Sequence, residues 1–444
     1  MANASQRWLA PQARLARRMG AGALAAPARP RLRWGFRLCL ALMALPVFFV
    51  PVGDRVHMSP AQEESTGHHY QLVSWMVSNF MDKWWHRVYT AAPWTDTSEE
   101  RRRAELDRYV ELAGELRAAR SAVTDAASAA IADPGLVVDR QADLDRLLAE
   151  RDSIRNGVEE YLESVVSEVL VRYELNARGS FIWPPVDFRL DNPPSVLVIS
   201  PRDRISRTQT VLIDPDISVT DMERIERSLL TDHDLSAAVM RTGGLASYPT
   251  VVPSDRGLLP LLEVVAHEWL HAYLIFHRLG QAYWSSGEML AVNETLADMA
   301  GREIGREAYT MITGEFVPPV EAPRDVAPPE PPPPGQFDFF RFMRETRERT
   351  DELLEMSEVT EAEAYMESRR VELLDHGYVI RRLNQAYFAF HGSYGESPSS
   401  ASPIAGQMWE VRQNSSDVGD FVKAMQPIST YSEFKELVAN AGSR

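Results

Sequence analysis

The sequence predicts a predominantly helical α+β protein. Three observations carry that class. Residues 97–175 space their apolar side chains by three and four, as helices do. Ser195–Ile199 and Thr210–Ile213 are short β-branched runs bounded by Pro, Asp and Arg, as strands are. From Leu258 onward the helical period returns and persists almost to the C-terminus.

Along the chain, residues 1–33 form a basic arm. Residues 1–53 hold eight Arg and no Asp or Glu, so of the net −16 the remainder carries −24. An acidic body argues against nucleic acid as a partner. Trp34–Val52 has Arg37 as its one charge and is about 19 residues long, near the minimum for a membrane span. Its Arg-rich flank predicts a single-pass transmembrane anchor with the N-terminus in the cytoplasm, membrane lipid around it and the body outside. Pro46 is tolerable in such a helix. The competing reading is a cleaved signal peptide, which leaves the body outside but unanchored. The single cysteine, Cys39, falls in this segment, so the body can form no disulfide within itself.

Residues 53–96 form a juxtamembrane stretch rich in aromatics: Tyr70, Trp75, Phe80, Trp84, Trp85 and Tyr89. It reads either as an amphipathic helix resting on the headgroup layer or as a helix packed on the body. His68 and His69 are adjacent in a polar stretch and read as loop residues.

Residues 97–175 predict two long antiparallel helices, a hairpin. Thr97-x-x-Glu100 fits a capping box, and Asp133-Pro134-Gly135 breaks the run. Leu106, Tyr109, Ala113 and Leu116 form the seam of the first helix; Leu144, Leu147, Ile154, Val158 and Tyr161 form that of the second. Residues 176–316 hold the two strands, a helix near Asp221–Leu230, and Gly243–Val252 as a further strand. Pro249 confines that strand to a sheet edge. Residues 317–335 are a Pro-rich linker and 336–444 a helical C-terminal lobe.

The chemistry concentrates in His267-Glu268-Trp269-Leu270-His271. On a helix this H-E-x-x-H run sets two imidazoles one turn apart with a carboxylate beside them. His is rare, 10 in 444, and Glu268 is the only charged residue between Val264 and Phe276. Burying two His and a Glu on so apolar a helix is costly, and a metal supplies a reason for it. The helix is expected from Leu258 to Leu279, ended by Gly280. A second, from Gly287 to Met311, carries Asn293-Glu294-x-x-x-Asp298, placing an acid 23 positions after His271. Glu303 is the next acid on it.

These two segments resemble the gluzincin metallopeptidases, zinc enzymes whose third ligand is a Glu on a second helix. Thermolysin-like peptidases open that motif with Asn-Glu and carry an Asp four residues after the Glu. The resemblance covers about residues 240–305 and selects no single family. It implies a zincin-like catalytic domain that hydrolyses peptide bonds of a peptide or protein substrate. His267, His271 and Glu294 would bind Zn2+, leaving one open position for water. Glu268 would move the proton. Asp298 would orient a ligand histidine. Asn293 would cap the second helix or hydrogen-bond substrate. The edge strand before the motif would pair with substrate. An oxyanion donor is expected among Tyr387, His391 and Tyr394.

Two other readings stay open: an inactive scaffold of this type that binds partners through the hairpin, and a zinc hydrolase of another amide bond. Glu268 speaks against the first, since a scaffold needs no base. No G-x-S-x-G elbow or phosphate loop offers another chemistry. Endopeptidase and aminopeptidase are not separated, although Glu263 and Glu288 lie nearby, and nothing fixes the oligomeric state.

Overall fold

Apolar residues at spacings of three and four fold as helices only where another surface covers them. The computed structural model describes residues 58–90, 92, 95, 98–128, 134–319, 337–392 and 403–441. The basic arm, the segment 34–52, Thr97, most of the Pro-rich linker and Tyr394 lie outside them. Among the described residues no helix is long and apolar enough to cross a membrane. The fold is mostly helical with two small sheets.

Helix α1 (Pro60–Glu64) opens the described chain with a capping box between Ser59 and Gln62. His68 and His69 follow in a bridge to the edge of a sheet, with His69 Nε2 2.9 Å from Ser65 Oγ. Helix α2 (Leu72–Thr90) turns its charges inward. Lys83 is 2% exposed and reaches Glu159, Glu163 and Asp187. Trp75 Nε1 donates to Asp191 at 2.8 Å. Most of its other apolar residues face out, with Val73 75% and Trp85 77% exposed, while Leu72, Met76 and Phe80 are half-buried.

Helices α3 (Glu99–Ser128) and α4 (Pro134–Arg172) form the predicted hairpin. Ser98 Oγ accepts from the first-turn N–H of Arg101 at 3.4 Å. Leu106, Tyr109, Leu112 and Leu116 line the seam, so Leu112 takes the place expected for Ala113. Arg108 crosses to Glu150 at 2.8 Å. The hairpin is not a free arm over its whole length. From Val158 to Leu170, α4 runs through the main core.

The strands are β1 (Phe188–Leu190), β2 (Ser195–Pro201), β3 (Gln209–Ile213), β4 (Leu235–Arg241) and β5 (Thr250–Val252). β3, β2 and β4 form an antiparallel sheet with β2 central. The apolar run of β2 is continuous because both faces are covered. Leu197 and Ile199 meet Ile225 and Leu229 of helix α5 (Val219–His233). Val196 and Val198 meet Ala386 and Phe390 from the C-terminal region. The expected strand 243–252 is mostly irregular. Only Thr250–Val252 is a strand, and it pairs in parallel with β1, buried rather than at an open edge.

Helices α6 (Leu258–Leu274), α7 (Arg278–Gln281) and α8 (Gly287–Thr313) make the centre. α6 stops five residues before the expected end. The N–H groups of Phe276 and His277 reach back only to Tyr273 and Leu274, a tightened last turn. Gly280 does not cap it; a Cβ there would strike the Leu274 carbonyl, so its need is close backbone approach. α6 and α8 also cross at close range. A Cβ on Gly301 would lie 2.9 Å from His267 Cα, and one on Gly305 2.5 Å from Glu263 N.

Helices α9 (Phe339–Glu355), α10 (Val359–Asp375) and α11 (Gln385–His391) pack beside the three-stranded sheet. Helices α12 (Ile404–Gln413), α13 (Val418–Met425) and α14 (Tyr431–Ala441) return to the main core. Gly301→Ala is expected to lower stability by about 1–3 kcal/mol, the usual range for overpacking. Urea unfolding reads it; an unchanged midpoint would mean that the crossing has room to spare.

Candidate metal centre

A two-helix ligand set needs one helix to present two side chains one turn apart and the other to pass close beside it. α6 presents His267 and His271. Seven residues before Gly301, two turns along the same face of α8, stands Glu294. The two imidazole Nε2 atoms are 3.1 Å apart, and Glu294 Oε2 is 3.8 Å from His267 Nε2 and 3.6 Å from His271 Nε2. The three residues can hold a metal ion. Glu294 is 5% exposed, and its Oε2 is buried with no hydrogen-bond partner. A buried carboxylate oxygen left unmatched and aimed at two imidazoles is the donor atom that a cation satisfies.

The other oxygen of Glu294 accepts from the Tyr283 hydroxyl, which stands on the turn between α7 and α8. The Tyr283 ring lies edge-on to His271, with centroids 5.8 Å apart. Arg207, beside Tyr283 in a cleft of about 600 Å³, stacks over Trp284 at 5.2 Å and keeps a buried Nε with no partner. Sequence reasoning missed Tyr283 and Arg207. Neither sits in a motif; the only signal is that Tyr283 and Trp284 are aromatic in a short link between two site helices.

Glu268 faces the same cleft and is 8% exposed. Gly244 crosses over it: a Cβ there would lie 2.5 Å from Glu268 Oε1. The segment Thr242–Ala246, not the strand beyond it, therefore lines the cleft.

Burial pushes the Glu268 carboxyl up to about 7, against the pull of His271. Burial, then the neighbouring His271, push His267 down to about 3. Burial alone would raise Glu294, but the neighbouring His271 charge holds it at about 2. His271 moves the other way: burial lowers it, and the Glu294 charge outweighs burial and raises it. A neutral His267 and an ionised Glu294 are the forms that ligate a cation.

The remaining expected residues scatter. Asn293 does not cap α8; Ser286 does, accepting from Met289 N at 3.2 Å. Asn293 lies wholly buried, donates to the Leu279 and Met289 carbonyls, and lines the cleft with its Oδ1 unmatched. Asp298 pairs with Arg302 at 2.5 Å, and His267 meets the Ala297 carbonyl. Tyr387 packs among Phe342, Met343 and Phe388, where burial raises its hydroxyl to about 12. His391 lines a neighbouring cavity rather than the cleft. Glu303 is held by Arg412 at 2.7 and 2.8 Å. Glu263 pairs with Arg306.

The chain matches no protein-family model, no curated protein and no solved structure. The ligand set therefore rests on its own geometry. Glu294→Ala and His271→Ala are each expected to weaken metal retention by more than about a hundredfold, beyond the loss of a merely supporting residue. Metal content after dialysis measures this. Full retention in Glu294→Ala would remove Glu294 from the set.

Proposed function

We propose that the protein is a zinc-dependent metallopeptidase of gluzincin type, held at a membrane with its catalytic body outside the cytoplasm. The observation that carries the reading is the convergence of His267, His271 and Glu294 with Glu268 in one cleft. Ligand atoms about 2.0–2.1 Å from a tetrahedral zinc stand about 3.3 Å apart. The separations of 3.1, 3.6 and 3.8 Å bracket that spacing. Three protein ligands also leave the open position that a catalytic site keeps.

When bound, zinc supplies a Lewis acid that makes water nucleophilic near neutral pH. Glu268 takes a proton from the attacking water and passes it to the leaving amine. Its burial, beneath Gly244 and away from bulk solvent, sets its proton affinity near working pH. Tyr283 holds Glu294 by a hydrogen bond and so fixes its free oxygen toward the histidines. Arg207 brings a donor without a carboxylate partner to the cleft wall and suits the negative charge that develops on the carbonyl oxygen.

Two features support the membrane. The apolar segment 34–52 follows seven arginines and no Asp or Glu, whereas just past it Asp54 offsets Arg55. Helix α2, 19 residues on, exposes Val73, Val77, Met81, Trp84 and Val88 as one stripe, with Trp85 and Tyr89 beside it. Aromatic and apolar side chains on one helix face suit the headgroup boundary.

Glu268→Gln is expected to keep its metal and lose about 10²–10⁴-fold in rate. Hydrolysis at the unaltered rate would sink the mechanism. A cation lowers the Glu268 value below about 7. The rate should therefore be flat above neutral pH and fall on its acid side, about tenfold per pH unit at the limit. In a chain starting at Met58, serine at Met81, Trp84, Trp85 and Val88 should abolish flotation with phosphatidylcholine vesicles. Equal flotation of both forms would remove α2 from the membrane contact.

A further inference from the structure

Beside the catalytic cleft lies a second cavity of about 320 Å³. The two share Gly243, His267 and Phe390 in their walls. Three arginines from three elements line it: Arg241 at the end of β4, Arg256 just before α6, and Arg302 on α8. Its two acids are already matched, Asp298 by Arg302 and Glu263 by Arg306. Among the described residues Arg241 and Arg256 meet no carboxylate. This is unusual in a chain of net charge −16, where acids outnumber bases. The first turn of α6 joins the wall at Pro260, and its N-cap, Gly257, brings no side chain to satisfy the helix N–H groups. That end adds positive potential. The Arg256 guanidinium lies against Gly243, 3.6 Å from where a Cβ would stand, and its charge is felt at Glu268.

We propose that this cavity is a subsite for a carboxylate of the bound peptide, at its C-terminus or on an acidic side chain near the scissile bond. Arg241 and Arg256 are its specificity-determining residues. The volume suits one residue of an extended chain. Arginine matches a carboxylate through paired N–H donors, and the recess keeps water from competing. The inference rests on the peptidase reading, since a peptide in the cleft is what would deliver the carboxylate past His267.

The test uses full-length Glu268→Gln protein loaded with zinc and immobilised. Two pools of acetylated hexapeptides with randomised sequence are passed over it, one ending in free carboxylates and one in amides. Retained peptides are read by mass spectrometry. The expected result is about tenfold enrichment of the free acids over the amides, or of Asp and Glu at one position within the amide pool. The first outcome assigns the carboxylate to the C-terminus, the second to a side chain. Arg241→Gln with Arg256→Gln should abolish the enrichment. Should that double variant fail to fold, Arg256→Lys should reduce it, since lysine keeps the charge and loses the fork. Retention without either preference, no retention from either pool, or a preference that survives loss of both arginines overturns the proposal. Cleavage of the pools by the unaltered protein is scored separately. Its absence would count against the peptidase reading and leave the retention result to decide the subsite.

Discussion

Everything at the candidate metal centre depends on how closely α6 and α8 approach. Two helices usually pack with axes 8–10 Å apart, the distance set by the side chains between them. Here Gly301 and Gly305 remove those side chains where α8 crosses His267 and Glu263. The backbones meet, and the helix period does the rest. Glu294 precedes Gly301 by two turns, so the face that touches α6 also carries the carboxylate to the histidines. A larger residue at the crossing would move Glu294 outward by about its own width, and a ligand set tolerates only a few tenths of an ångström.

The same crossing creates an electrostatic debt. Two imidazoles and two carboxylates share a largely buried volume. Tyr283 satisfies one oxygen of Glu294, and the other is left without a donor. An unmatched buried polar group costs about 1–3 kcal/mol, and more when charged. Glu268 and Glu294 respond in opposite directions to similar burial, Glu268 toward the neutral acid and Glu294 toward the anion. Their partners differ: Glu294 meets both histidines, whereas Glu268 sits under the backbone of Gly244. Environment thus gives two glutamates of one site opposite proton affinities, which residue type cannot do. A cation at the histidines would offset the cost at Glu294 and draw the proton from Glu268.

What could be read in the sequence was local. His267, Glu268 and His271 are fixed relative to one another by helix period alone, and Glu294 needed only a second helix. The hairpin, the strand runs of β2 and β3, and the extent of α8 follow from periodicity for the same reason. What escaped depends on which distant segment arrives. Gly280 resembles a helix cap in sequence, yet its requirement comes from the Leu274 carbonyl folding back onto it. Tyr387 and His391 lie in an apolar aromatic run whose own pattern gives no direction; the sheet claimed it through Ala386 and Phe390. Tyr283, Arg207 and Arg256 sit in loops, where no periodicity indicates direction. Pro249 was a true sign of broken pairing, but the short strand that follows it pairs beside β1 and is buried rather than at an open edge.

Helix α2 gives the clearest case of a pattern whose sense only the fold supplies. Its amphipathic period is plain in sequence, and the usual inference is that the apolar face turns inward. The opposite holds for much of it, because α4 and the residue just before β1 present Glu159, Glu163 and Asp187 from a buried layer. Those acids need a cation more than they need an apolar neighbour. Lys83 answers them, with burial opposing its charge and the three carboxylates sustaining it. Arg87 and Arg189 extend the network to Glu163 and Asp82. Removing one member of such a buried set strands the others, at a cost of about 3–5 kcal/mol. The helix is thereby locked with Trp84 and Trp85 outward, and no rotation about its axis can hide them without breaking the ion network. An apolar stripe held outward at that cost is a feature that the core does not need, and its rationale lies in whatever apolar surface the stripe meets.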